Sequence, residues 1–358
     1  MKFACSITQF LWTTVVVVSI TFVSTTSVRA VDIITKKSDG KKLSGTILSM
    51  FKTDLTIKKL QGEETVPAND IAAIEWEGGG PELKLGYVEE NGGRYETALQ
   101  RFLKAKSDSK STNANLQSEY EYNIARVTAK MALVEPDKRS QAIQKLMAAQ
   151  KSHPDHFRYY ESMLLLSQLQ LLEKDFDAVR SSLNIMKKAP WPDYKMAASI
   201  VEARALMNED KIDEAIALFE SAEKSTDDSP ASQSRKFEAI LGHARALLSR
   251  SKYDEALKIL DSILEKRGPV DDNAVEAEAY VLQGQALRGL GRNKDAALAY
   301  LHVDILFPRE ATFHAESLYQ LSVLWKLVQN PDRSAEASGK LVQLYPNSEW
   351  RKKLTDGE

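Results

Sequence analysis

Five glutamates recur along the chain at intervals of about forty residues: Glu119, Glu161, Glu238, Glu278 and Glu316, with Ala197 at the one place in the series that lacks an acid. Seven residues after each position runs a second column, Arg126, Gln168, Arg204, Arg245 and Gln285, which closes on Val323. Residues seven apart share one face of an α-helix, so each glutamate lies on the same face as its arginine or glutamine. Two chemistries fit this pattern. The arginines and glutamines can hydrogen-bond the backbone or carboxylates of an extended partner segment. Alternatively, the glutamate of one unit pairs with the arginine of the next, and the ladder only neutralises the wall, at about 0–1 kcal/mol per exposed pair.

Other chemistries find little footing. The five histidines are His153, His156, His243, His302 and His314, and only His153-Pro154-Asp155-His156 forms a close pair. Pro154 keeps those two rings off one regular helix, so they read as polar loop residues and not as a metal site. No HExxH, phosphate-loop, GxSxG or dinucleotide fingerprint occurs, and no carboxylate stands in an apolar setting that would raise its pKa for acid catalysis. No cofactor and no enzymatic activity is expected; a hydrolase is the remote alternative. The single cysteine, Cys5, lies in the first thirty residues, leaving the remainder without a thiol. That remainder holds 46 basic and 50 acidic residues, too little positive charge for non-specific nucleic-acid binding.

The elements that position the two columns repeat from residue 82 onward. A turn, a large residue, an acid and then alanine appear at Gly93-Arg94-Tyr95-Glu96-Thr97-Ala98, Lys174-Asp175-Phe176-Asp177-Ala178-Val179 and Asp210-Lys211-Ile212-Asp213-Glu214-Ala215. The phrase returns at Ser251-Lys252-Tyr253-Asp254-Glu255-Ala256 and Gly291-Arg292-Asn293-Lys294-Asp295-Ala296. Apolar residues follow each marker at +4 and +7, as in Ala215, Phe219, Ala222 and Ala296, Tyr300, Val303, which keeps all three on one helical face. Twelve residues before the marker stands something small: Gly86, Ser167, Ala203, Ala244 or Gly284.

This combination resembles the tetratricopeptide repeat family over residues 82–350. The resemblance implies a mainly α fold: an α-solenoid of about seven helical hairpins, with the Glu and Arg/Gln columns lining its concave groove. The markers are 36 to 44 residues apart, longer than the usual ~34 of the family, and HEAT-like hairpins are the runner-up. The second unit carries an insertion at Val134-Glu135-Pro136-Asp137-Lys138, and the last has Ser334 and Ser338 at its marker positions, as a capping unit would. Ala315-Glu316-Ser317-Leu318-Tyr319, Trp325 and Leu344-Tyr345-Pro346-Asn347-Ser348 also resemble repeats of periplasmic cell-envelope proteins.

Residues 1–30 read as a secretory signal, with Lys2, an apolar run from Phe10 to Val23 and Val28-Arg29-Ala30 before the cut. An uncleaved anchor is the alternative; after cleavage no membrane span remains. Residues 31–78 predict five short strands, with turns at Ser38-Asp39-Gly40, Lys52-Thr53-Asp54 and Gln61-Gly62-Glu63 and a bend at Gly45. This stretch resembles small Sm-like or SH3-like barrels, through its strand order and the one-turn connection Pro67-Ala68-Asn69-Asp70-Ile71. Residues 79–81 form a linker and 351–358 a C-terminal tail. The expected function is an exported, periplasmic or envelope scaffold that holds other proteins or peptide segments. The alternative is a structural subunit of an envelope assembly, packed through the solenoid surface.

Overall fold

Five antiparallel strands open the described part of the chain: β1 (Asp32–Lys36), β2 (Lys42–Met50), β3 (Asp54–Lys59), β4 (Gly62–Pro67) and β5 (Ile71–Glu75), in the order β4-β3-β2-β1-β5. A one-turn 3-10 helix, Ala68–Asp70, leads into β5. The computed structural model describes residues 31–265 and 273–356, so the leader read at residues 1–30 lies outside the described residues. Strand β2 serves two partners. Its first half pairs with β1 (Leu43↔Ile34, Gly45↔Asp32) and its second half with β3 (Thr46↔Lys58, Met50↔Leu55). The bend between the halves falls at Gly45, where an added Cβ would sit 2.1 Å from the Lys58 carbonyl oxygen. Only glycine lets the two backbones approach that closely.

The inward set Ile34, Leu43, Leu55, Ile57, Val66, Ile71 and Ile74 is too small to close a core alone. It runs on into Leu83, Phe102, Leu116 and Tyr120 of the first helices. Sheet and helices therefore share one core.

Among the described residues, fourteen helices then form seven antiparallel hairpins: α1 (Gly80–Asn91) with α2 (Tyr95–Asp108), α3 (Ala114–Ala132) with α4 (Arg139–Ser152), α5 (Tyr159–Leu172) with α6 (Phe176–Met186), and α7 (Pro192–Asn208) with α8 (Ile212–Glu223). The series continues with α9 (Pro230–Ser249) and α10 (Tyr253–Glu265), α11 (Asn273–Gly289) and α12 (Asn293–Leu306), and α13 (Ala311–Leu327) and α14 (Pro331–Leu344). The residue that opens each repeat phrase stands in the left-handed region: Gly93, Lys174, Asp210, Ser251 and Gly291, joined by Gln329 in the last unit. The next N–H bonds five residues back, as in Arg94 N to Glu89 O and Lys252 N to Leu247 O. This is a Schellman closure of the first helix of each hairpin. The predicted stripes pack as expected: Ala98, Phe102 and Ala105, or Ala215, Phe219 and Ala222, are buried on the second helices. Glycines on the first helices receive the rings, Gly86 under Phe102, Gly242 under Phe219 and Gly284 under Tyr300.

Residues 351–356, expected as a tail, belong instead to a fifteenth helix, α15 (Glu349–Asp356). It returns to the second unit, more than two hundred residues back in sequence. Glu349 meets Arg139, Lys352 Nζ donates to Asp137 at 3.2 Å, and Asn347 Nδ2 donates to Glu135 at 3.1 Å. Trp350 stacks near Tyr319 (5.3 Å between centroids), and Val134 joins the same apolar cluster as Trp350 and Leu354. The insertion noted after Val134 is thus the seat of the C-terminal helix, and the solenoid closes on itself there. No helix among the described residues is long and apolar enough to cross a membrane.

Candidate functional site

The first helices of the hairpins carry the two columns, and the structure divides them into two groups. The N-terminal group is enclosed. Glu119 on α3 has no exposed surface. It accepts hydrogen bonds from the Tyr87 hydroxyl (2.7 Å) and Arg158 Nε (3.1 Å), and its second oxygen lies 3.2 Å from His156 Nε2. Burial acts to raise its pKa, but Arg158 and His156 outweigh burial and hold the carboxyl well below the usual range. For this residue only the internal role is open. Arg126 is almost as enclosed, and forms a two-pronged pair with Glu90 of α1, Nε to Oε1 at 2.8 Å and Nη2 to Oε2 at 2.6 Å. Lys130 adds a third contact at 2.9 Å. Burial opposes ionisation of Glu90, yet Arg126 and Lys130 lower its pKa to about 2.

His156 stands in the loop between α4 and α5, as read, but its ring turns inward. It is fully buried, stacked on Tyr122 at 4.1 Å, and its Nδ1 accepts the Arg158 backbone N–H at 3.1 Å. That bond leaves the ring hydrogen on Nε2, which lies 3.2 Å from Glu119 without a well-aligned hydrogen bond to it. Burial holds its pKa below the ordinary value, so the ring is neutral at pH 7.

Glu161 on α5 is partly open, with its side chain 37% exposed, and pairs with Arg158 at 3.0 Å. Burial raises its pKa, and Arg158 and Arg126 bring it down to about 2. Gln168 lies half-buried further along α5. The strand module reaches the same region: Asn69 Nδ2 donates to Asp193 of α7 at 3.3 Å, and the Lys52 ammonium lies 5.2 Å from the Tyr159 ring centre. Lys37 is exposed by surface area, yet partial desolvation lowers its pKa, and it also feels the charges of Glu161, Arg158, Asp193 and Arg235. A cleft of about 360 Å³ opens between β5 and helices α1, α3 and α5, with Arg126 and Glu161 in its wall.

The C-terminal group runs as a ladder between units. Arg245 of α9 donates to Glu278 of α11 at 2.9 Å, and Arg204 of α7 approaches the other oxygen of the same carboxylate at 3.7 Å. Burial raises the Glu278 pKa, and Arg204 and Arg245 outweigh it, leaving the carboxyl below its ordinary value. Gln285 donates to Glu316 of α13 at 2.7 Å, and one turn on Arg288 donates to Gln320 at 2.6 Å. Glu316 thus meets an amide at this rung where Glu278 meets guanidinium groups, and burial pushes its pKa up. Glu238 pairs within its own helix, with Arg235. A ladder is present in the opposite sense to the expected one, with the arginine or glutamine of one unit reaching the glutamate of a later unit, while Arg204 and Arg245 stay 24% and 34% exposed.

Sequence reasoning missed Glu90, Tyr87, Arg158 and the Arg288–Gln320 rung. Arg158 stands three residues before Glu161, a spacing that pairs on a helix. Glu90 carries no such local signal.

Residues 241–309 match the family model described as Tetratricopeptide repeat. No curated protein matches the chain in sequence. Among solved structures, a Rap protein complexed with Competence and Sporulation Factor is similar at a TM-score of 0.53 and 13% identity, over 77% of this chain and 76% of that one. The Rap conjugation gene regulator of the plasmid pLS20, in complex with the Phr* peptide, is similar at 0.51 and 14%, over 74% of each chain. A tetratricopeptide repeat protein from Parabacteroides merdae aligns at 0.43 and 16%, over 73% of this chain and 91% of that one. At these identities the likeness speaks to fold. The helical body is a tetratricopeptide-repeat-like α-solenoid that matches the family model over residues 241–309, preceded by a small antiparallel β module.

Proposed function

We propose that this protein is a non-catalytic, exported scaffold that holds partner segments along the inner face of its solenoid. One observation carries the reading: Arg204 and Arg245 share the single carboxylate of Glu278. Each guanidinium has five N–H donors, so one carboxylate leaves most of them unused, on side chains that stay partly open. Such donors suit the carboxylates or backbone carbonyls of an extended polypeptide. The two Rap proteins of similar fold, one complexed with Competence and Sporulation Factor and the other with the Phr* peptide, support a peptide partner here. Export rests on the charged start and apolar run of the first thirty residues.

Replacing both Arg204 and Arg245 by alanine should weaken partner capture from an envelope fraction at least tenfold, without shifting the thermal midpoint by more than a few degrees. Unchanged capture removes the reading. Full-length protein recovered only from the cytosol, with residues 1–30 intact, removes export.

A second reading, a subunit packed into an envelope assembly, is favoured by α12. Leu298 and Ile305 lie seven apart on its outer side and are 51% and 64% exposed, an apolar stripe with no cover. A partner held through α12 would survive the double arginine substitution.

A further inference from the structure

The two edges of the sheet are finished differently. Strand β4 carries Glu63, Glu64 and Pro67, whose charges and missing N–H discourage further pairing. Strand β5 carries Ala72 and Ala73 at its centre. Among the described residues its stretch Ala72–Glu75 has no backbone partner beyond the ladder with β1. Ala72, Ala73, Ile74 and Glu75 all border the 360 Å³ cleft. Alternate side chains of a strand point to opposite faces, so four consecutive residues border one cleft only where the strand turns its edge toward it.

The cleft is biased in charge. Its wall holds Lys84, Arg126, Lys130 and Arg158 against Glu75, Glu90 and Glu161, in a chain of net charge −2. The two open cations each share their acid with another cation. Glu75 takes both Lys42 (3.4 Å) and Lys84 (2.8 Å), and Glu90 takes both Arg126 and Lys130. Lys84 is 64% exposed and Lys130 34%. The volume is at the low end of the roughly 300–1,000 Å³ of ligand sites, which suits a few residues of extended chain.

We propose that this cleft receives an acidic peptide segment as a sixth strand on β5, with its carboxylates on Lys84 and Lys130. Main-chain bonds to the β5 edge supply the affinity, and the lysines select for acid side chains. The site is distinct from Arg204 and Arg245 and goes beyond the inner-face reading.

The test uses the purified full chain and a fluorescein-labelled octapeptide of alternating threonine and glutamate, read by anisotropy. A threonine–lysine octapeptide is the control. The acidic peptide should bind, the basic one should not, and amide exchange at Ala72–Glu75 should slow in the complex. K84Q/K130Q should weaken binding at least tenfold. Because Lys130 also pairs with Glu90, K84Q alone keeps the test decisive if the double variant folds poorly, with an expected loss of at least threefold. Equal binding of both peptides, no binding, or no added protection at Ala72–Glu75 overturns the proposal. Binding lost in R204A/R245A but kept in K84Q/K130Q assigns the peptide to α7 and α9, overturning the β5 site while leaving the inner-face reading intact.

Discussion

Replacing Glu90 by glutamine removes one charge from the buried cluster and almost no volume. The carboxylate is 3% exposed, and Arg126 and Lys130 lower its pKa from the ordinary 4.5 to about 2. A tenfold change in an acid's ionisation constant corresponds to about 1.4 kcal/mol, so ionised Glu90 contributes on the order of 3 kcal/mol to folding at pH 7. The sign follows from linkage. A carboxyl whose folded pKa is depressed stabilises the protein above its unfolded value and loses that effect as pH falls through its folded value. E90Q should therefore cost about 3 kcal/mol at pH 7 and only about 1.4 kcal/mol at pH 3, where the carboxyl of the unfolded chain is already protonated while the folded one is still largely ionised. A similar cost, ~3–5 kcal/mol, is usual when one partner of a buried ion pair is removed. Urea unfolding of both proteins, followed by far-ultraviolet circular dichroism at the two pH values, measures the difference. A loss below about 1 kcal/mol at pH 7, or a loss independent of pH, refutes the ion-pair account.

Two further outcomes test the architecture. Phe219→Ala empties a fully buried site against Gly242 and should cost about 3–5 kcal/mol; a loss under ~1 kcal/mol contradicts its place in the core. Ending the chain after Ser348 removes α15, its contacts to Asp137 and Arg139, and the Trp350 ring. The radius of gyration from solution scattering should rise as the solenoid opens, and an unchanged profile rules out α15 as the closing contact.

The repeats were legible because each second helix has to bury a narrow stripe of small, large and small residues, and that demand writes itself at fixed spacing. Ala215, Phe219 and Ala222 could hardly be read otherwise. The turn residues were legible too, although their shared left-handed geometry was not, since Lys174, Asp210 and Ser251 have little in common chemically. The strands were marked by their Gly and Asp turns and by Gly45. What stayed hidden depends on neighbours that the chain brings together only after folding. His156 is a loop residue by sequence and by structure, and only Tyr122 and Glu119, placed beside it by folding, show that the loop is buried. The closure of α15 onto the second unit joins residues 210 to 215 apart, as at Arg139–Glu349 and Lys352–Asp137, and no local periodicity reports such a distance.

The same dependence explains why one sequence column sits in two settings. At the N-terminal end the β module covers part of the first helices, and Glu119 and Arg126 are buried in a cluster whose charges are held by one another. In a low-dielectric setting such groups are costly to leave unpaired and are therefore committed to structure. Past α7 the cover ends. Arg204 and Arg245 meet a single acid and keep open surface, so their remaining donors are solvated and can be exchanged for a ligand at little cost. The residue types along the column are nearly constant, and what changes is access to water. Recognition on the inner face should accordingly be concentrated on the units from α7 to α11, and the N-terminal units should hold the β module in place.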